Sequence, residues 1–159
     1  MIEFYTDGAC STNGSWAGGW AVVMVDAREE PHIGVVTSGG ELNTTNNRME
    51  LKAVIEALRI AKERKEDKVQ IYTDSAYIVN SFEQGWIVNW KKNGWKNAKR
   101  QPVKNKDLWL ELLKGIEHCG GFQDEGGRVA IIKVKGHGNS KWNNVADETA
   151  VLARLEVLK

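Results

Sequence analysis

The sequence predicts an α/β domain, and three observations carry that reading. Residues 2–42 hold three strand-like runs in succession, joined by short loops. A segment of helical periodicity follows. It leads into a strand that repeats the pattern of the first, after which helices and one more strand complete the chain. Two matched strands separated by a helix are the signature of a parallel crossover.

The first strand is Ile2-Glu3-Phe4-Tyr5-Thr6-Asp7, a short apolar run stopped by Gly8 and a loop of small polar residues, 8–15. Gly18 and Gly19 lead into a strongly apolar second strand, Trp20 to Val25. After a charged turn at 26–31, Ile33 to Leu42 reads as a third strand, weakened by Gly34 and by Gly39 and Gly40. Three strands with short connections predict an antiparallel meander.

Thr44, Thr45, Asn46 and Asn47 form a dense helix-start signal. Asn47 reads as the N-cap, with Glu50 three residues on at capping-box spacing. The helix extends to about Arg64, and Leu51, Val54, Ile55, Leu58 and Ala61 make one apolar face. Val69 to Asp74 is the second Tyr-Thr-Asp strand. A short helix over 75–83 follows, then helices at 107–118 and 142–158 on either side of a fifth strand, 129–134. The order is β-β-β-α-β-α-α-β-α.

Composition is that of one globular domain spanning 1–159: 42% hydrophobic and 27% charged, with only 2 Pro. No apolar run reaches membrane length and no basic-then-apolar leader opens the chain, so a soluble, cytoplasmic protein with no membrane partner is expected. Cys10 and Cys119 read as free thiols in a reducing compartment. The net charge of +1 conceals an asymmetry. Residues 86–106 carry seven Lys or Arg and no acid, which leaves 15 basic against 21 acidic residues elsewhere. This basic protrusion, with Lys91, Lys92, Lys96, Lys99 and Arg100, is interleaved with Trp86, Trp90 and Trp95. Lysines can meet phosphates while indoles pack on sugars or bases. The competing reading is a solvated surface, with Trp90 packing it onto the body.

Asp7 and Asp74 end the two matched strands. If those strands are neighbours, the carboxylates share one sheet edge and repel unless a cation lies between them. Strand-terminal Asp residues also serve as caps and turn formers. Local spacing assigns Glu50 to its capping box and Asp147 to the first turn of the last helix, where the dipole favours an acid. Four carboxylates together would suit two divalent cations. His137, flanked by two glycines, is either a surface loop residue or a proton shuttle.

Several motifs in order resemble the type 1 ribonuclease H family of bacteria over nearly the whole chain. They are Tyr-Thr-Asp-Gly-Ala-Cys (5–10), Thr-Thr-Asn-Asn-Arg-Met-Glu-Leu (44–51), Thr-Asp-Ser (73–75), Trp-Lys-Lys-Asn-Gly-Trp-Lys (90–96), Pro-Val-Lys-Asn-Lys-Asp-Leu-Trp (102–109), Lys-Gly-His (135–137) and Ala-Asp-Glu (146–148). The resemblance implies a five-stranded mixed sheet, its first three strands antiparallel and the rest parallel, flanked by helices. It implies hydrolysis of the RNA strand of an RNA/DNA hybrid by a two-metal-ion mechanism, giving 3′-hydroxyl and 5′-phosphate ends. Asp7, Glu50, Asp74 and Asp147 fall on the family's metal-binding carboxylates, with two Mg²⁺ in the substrate complex and Mn²⁺ as a substitute. His137 falls on its loop histidine.

Cys10, Asn13, Asn46 and Ser75 fall where the family contacts RNA 2′-hydroxyls and backbone. Thr45, Arg48 and Asn105 fall at its DNA-phosphate pocket, and Trp86 at an aromatic position in the DNA groove. A monomer with no obligatory protein partner is the default expectation. The chain departs from the family in its first loop, 13–19, which lacks prolines, at Ala76 in place of a Gln, and in the loop at 138–144. Two alternatives carry different expectations. A non-catalytic binding module on this scaffold would have lost a carboxylate. An integrase-like or junction-resolving nuclease would carry a different carboxylate pattern.

Overall fold

A computed structural model describes residues 2–11, 16–28, 30–134 and 141–159. The strands are β1 (Ile2–Cys10), β2 (Gly18–Asp26), β3 (His32–Glu41), β4 (Val69–Thr73) and β5 (Val129–Lys133). The helices are α1 (Asn46–Glu63), α2 (Ala76–Glu83), α3 (Trp86–Lys92), α4 (Lys106–His118) and α5 (Lys141–Val157). The sheet order is β3-β2-β1-β4-β5. The first three strands pair antiparallel, and β4 is parallel to both β1 and β5. This is the five-stranded mixed sheet expected from the sequence.

Alternation along the strands assigns each face its helices. Ile2, Phe4, Val22, Met24 and Ile71 share one core with α1 and α4, including Leu51, Leu58, Trp109 and Leu112. Tyr5, Val23 and Val25 face the other way, with Ala146, Trp142 and Val145 of α5. With both faces covered, β1 and β2 must be apolar on both sides. Their sequences therefore read as near-continuous hydrophobic runs.

Several expectations need correction. Helix α1 begins two residues earlier than an Asn47 cap would give. Thr45 is the N-cap, in extended conformation, and its side chain accepts from the Arg48 N–H. Glu50 takes no part in a capping box, because its carboxylate turns across to β1. Strand β1 does not stop at Asp7; it continues to Cys10, paired with β2 throughout. Only β4 ends there, so Asp7 lies within a strand while Asp74 lies just past one. The basic protrusion contains helix α3, and its indoles pack in a row. Trp86, Trp90 and Trp95 form a chain of ring contacts at 5.8–6.4 Å. Trp90 meets the fully buried Trp109 at 5.6 Å.

Among the described residues no helix is long and apolar enough to cross a membrane.

Candidate active site

The parallel pairing of β1 with β4 puts Glu3, Phe4 and Tyr5 beside Gln70, Ile71 and Tyr72. Two residues further along each chain come Asp7 and Asp74. The shared register therefore delivers both acids to one edge of the sheet, where side chains beyond the ends of parallel strands meet ligands.

Glu50 arrives from above this edge. Gly8 makes the approach possible: a Cβ there would lie 2.4 Å from the Glu50 nitrogen and 2.5 Å from the Met49 carbonyl carbon. Any side chain would push α1 off β1. With none, the Gly8 N–H donates to Glu50 Oε1 at 2.8 Å, and the Thr73 hydroxyl reaches Glu50 Oε2 at 3.5 Å. One ligand atom from each of Asp7, Glu50 and Asp74 lies within 4.8 Å of the others.

Asp147 comes from the opposite face on α5. A Cβ at Gly19 would sit 2.2 Å from the Ala150 carbonyl oxygen, and one at Gly40 would sit 2.4 Å from Val157 Cγ2. These glycines face each other across the β2–β3 ladder. The glycines that read as weakness in a strand form a shallow seat into which α5 settles. Asp147 thereby lines the same cavity as the other three acids. That cavity has a volume of about 360 Å³ and is also lined by Asn46, Ser75 and Tyr77.

Burial and mutual repulsion make Asp7 and Glu50 hard to ionise. Asp7 is 3% exposed and Glu50 4%. Loss of solvation, then the Glu50 charge, pushes the Asp7 carboxyl up to about 11. Burial raises Glu50 to about 7, opposed by hydrogen bonds from Asp7 and the Gly8 N–H. Opposite charge placed among these groups restores ionisation. The donor set is all oxygen, which fits hard divalent cations and gives no reason for zinc.

A profile of the RNase H family matches residues 1–154. The chain belongs to the RNase H family. It is 45% identical over 150 residues to a ribonuclease H of Thermoanaerobacter sp. (strain X514), covering 94% of this chain and 87% of that one. Among solved structures it resembles LC9-RNase H1, a type 1 RNase H with the type 2 active-site motif. The TM-score is 0.81 at 29% identity, over 98% of this chain and 72% of that chain. It also resembles a foamy viral protease-reverse transcriptase in complex with an RNA/DNA hybrid, with a TM-score of 0.80 at 25% identity. There it covers 98% of this chain but 20% of the viral one. As a member of this family the protein is an endoribonuclease, a phosphodiester hydrolase.

The other RNase H positions distribute around the acids. Ser75 caps α2, its hydroxyl accepting from the Ile78 N–H at 3.2 Å. The Cys10 thiol donates to the Thr44 carbonyl at 3.4 Å, and burial pushes its pKa up, so it is a neutral hydrogen-bonding group. Arg48 and Asn105 are brought together, Arg48 Nη1 donating to Asn105 Oδ1 at 3.3 Å. Thr45 lies three residues from Arg48, whose N–H it caps. Trp86 opens α3 and is half-buried, while Lys91, Lys92, Lys96, Lys99 and Arg100 are exposed. Asn13 and His137 lie outside the described residues.

Sequence reasoning missed two residues. Asp107 grips the Arg48 guanidinium through both oxygens, at 2.8 and 3.0 Å. Tyr77 lines the cavity, and its hydroxyl accepts from Trp109 Nε1 at 2.8 Å and from Asn105 Nδ2 at 3.3 Å. Neither contact has a local signal, since the partners are 28 to 59 residues apart.

Proposed function

We propose that the protein cleaves the RNA strand of RNA/DNA hybrids at internal phosphodiesters, leaving 3′-hydroxyl and 5′-phosphate ends. The observation that carries this reading is the trio of Asp7, Glu50 and Asp74 oxygens within 4.8 Å of one another, with Asp147 lining the same cavity. These four residues would hold two Mg²⁺ ions in the substrate complex, with Mn²⁺ as a substitute. Two ions bound there would supply Lewis-acid stabilisation of the charge that develops in phosphodiester hydrolysis.

The chain's own residues prepare that chemistry. The Gly8 N–H and the Thr73 hydroxyl orient the Glu50 carboxylate, so no rotamer search delays the assembled site. Asp7, with a carboxylate oxygen within 4.8 Å of those of both Glu50 and Asp74, is the central ligand. His137, by its family position, moves a proton and assists product release. Cys10, Asn13, Asn46 and Ser75 read the RNA strand through its 2′-hydroxyls and backbone. Arg48, Thr45 and Asn105 take a phosphate of the DNA strand, and Trp86 packs in the DNA groove. The exposed Lys and Arg of the protrusion neutralise phosphates. The enzyme acts as a monomer in the cytoplasm.

The test is one gel with labelled RNA/DNA hybrid, duplex RNA, duplex DNA and single strands, each in Mg²⁺, Mn²⁺ or EDTA. Cleavage confined to the RNA of the hybrid, and abolished by EDTA, is expected. Cleavage that persists in EDTA, or equal cleavage of duplex DNA, overturns the reading.

A further inference from the structure

The protein has seven Trp residues, and among the described residues six pack on the core or on another ring. Trp20, Trp90, Trp95 and Trp109 belong to the main core, Trp142 packs on the α5 side, and Trp86 leans on Trp90. Trp16 is different. It is 48% exposed, whereas Trp95, which shares its left-handed backbone (φ +63° against +48°), is packed on the core. A bulky residue is an outlier there, because its Cβ crowds its own backbone.

Two hydrogen bonds hold the backbone in that state. The Ser11 N–H donates to the Ala17 carbonyl at 2.9 Å, and the Thr44 N–H to the Trp16 carbonyl at 3.1 Å. The second bond ties Trp16 to the residue just before the α1 N-cap, Thr45, and two before Asn46, which lines the acidic cavity. Cys10 is bonded to the same Thr44, through its carbonyl. The exposed Trp16 is thus anchored through its carbonyl to Thr44, two residues before the cavity-lining Asn46. Backbone strain that persists under such constraint gathers at functional positions.

We infer that the Trp16 indole is a substrate contact, packing on sugar edges of the nucleic acid bound over Cys10 and Asn46. This rests on the hybrid-cleaving reading above. An indole offers apolar area at low entropic cost, and sugar C–H edges are its natural partner beside groups that take 2′-hydroxyls. The contact carries no charge. It therefore adds affinity that does not fade with salt, unlike the contacts of the protrusion.

The experiment measures binding of a short labelled RNA/DNA hybrid in EDTA across a salt series, with KM and kcat in Mg²⁺, for Trp16→Ala, Trp16→Phe and Trp16→Gly. Trp16→Ala is expected to weaken binding and raise KM by about fivefold, the low end of aromatic–nucleic acid contacts, with kcat little changed. The slope of log affinity against log salt stays the same, and Trp16→Phe recovers most of the loss. Trp16→Gly relieves the backbone, so its Tm equals or exceeds the parent's while its binding falls as in Trp16→Ala. Unchanged affinity in Trp16→Ala overturns the inference, as does a loss that tracks a lower Tm and is not recovered by Phe. If the unaltered protein neither binds nor cleaves the hybrid, the functional reading itself fails.

Discussion

Replacing Asp7 with Asn should stabilise the protein in the absence of metal while abolishing cleavage. Asp7 and Glu50 are almost fully buried, and their pKa values rise from 3.8 to about 11 and from 4.5 to about 7. A carboxyl with a raised folded pKa supports the fold fully below its unfolded value, and that support is lost as pH rises toward the folded value. For Glu50 the window is pH 4.5 to 7, a span worth about 3 kcal/mol at 1.36 kcal/mol per unit. For Asp7 at pH 8 the same arithmetic gives a ceiling of roughly 6 kcal/mol.

The two acids titrate together, so the lower figure sets the expected gain when Asn removes one charge. About 3 kcal/mol in a chain of this size raises Tm by roughly 6–12 °C. The assay is thermal unfolding in EDTA from pH 4 to 8, repeated with Mg²⁺. The difference between Asp7→Asn and the parent should be large at pH 8 and vanish near pH 4. Mg²⁺ should raise the parent's Tm more than the variant's, since binding to the folded state alone stabilises it. Hybrid binding should survive in the variant. A variant less stable than the parent in EDTA at pH 8 would refute the account of a repelling, cation-seeking cluster.

Two further outcomes follow from the geometry. Gly19→Ala places a methyl 2.2 Å from the Ala150 carbonyl oxygen, so α5 must lift and carry Asp147 with it. The expected cost is roughly 1–3 kcal/mol, together with weakened Mg²⁺-induced stabilisation, measured by unfolding with and without the ion. Neutralising Lys91, Lys92, Lys96, Lys99 and Arg100 to Gln should flatten the salt dependence of hybrid binding. If all five meet phosphates, the log–log slope falls by roughly 4. An unchanged slope removes the protrusion from the interface.

Local signals in the sequence determined the elements and their order. The period-2 and period-3.6 patterns are short-range, and they survive in the folded chain as β1, β2, α1, β4 and α5. The repeated Tyr-Thr-Asp strand, with a crossover helix between its copies, was enough to expect Asp7 and Asp74 at one edge, and the parallel register places them there. What lay beyond reach were choices made by contacts between distant segments. Glu50 satisfies the spacing of a capping box, yet the bare backbone of Gly8 lets its carboxylate leave its own helix for β1. The indoles of the protrusion look available to a ligand until Trp109 is found beneath Trp90. Gly19 and Gly40 look like weak points in strands until α5 lies across them. In each case a side chain or its absence has two local uses. The one realised is the one that buries apolar area or pairs a buried polar group elsewhere in the chain, which only the tertiary structure decides.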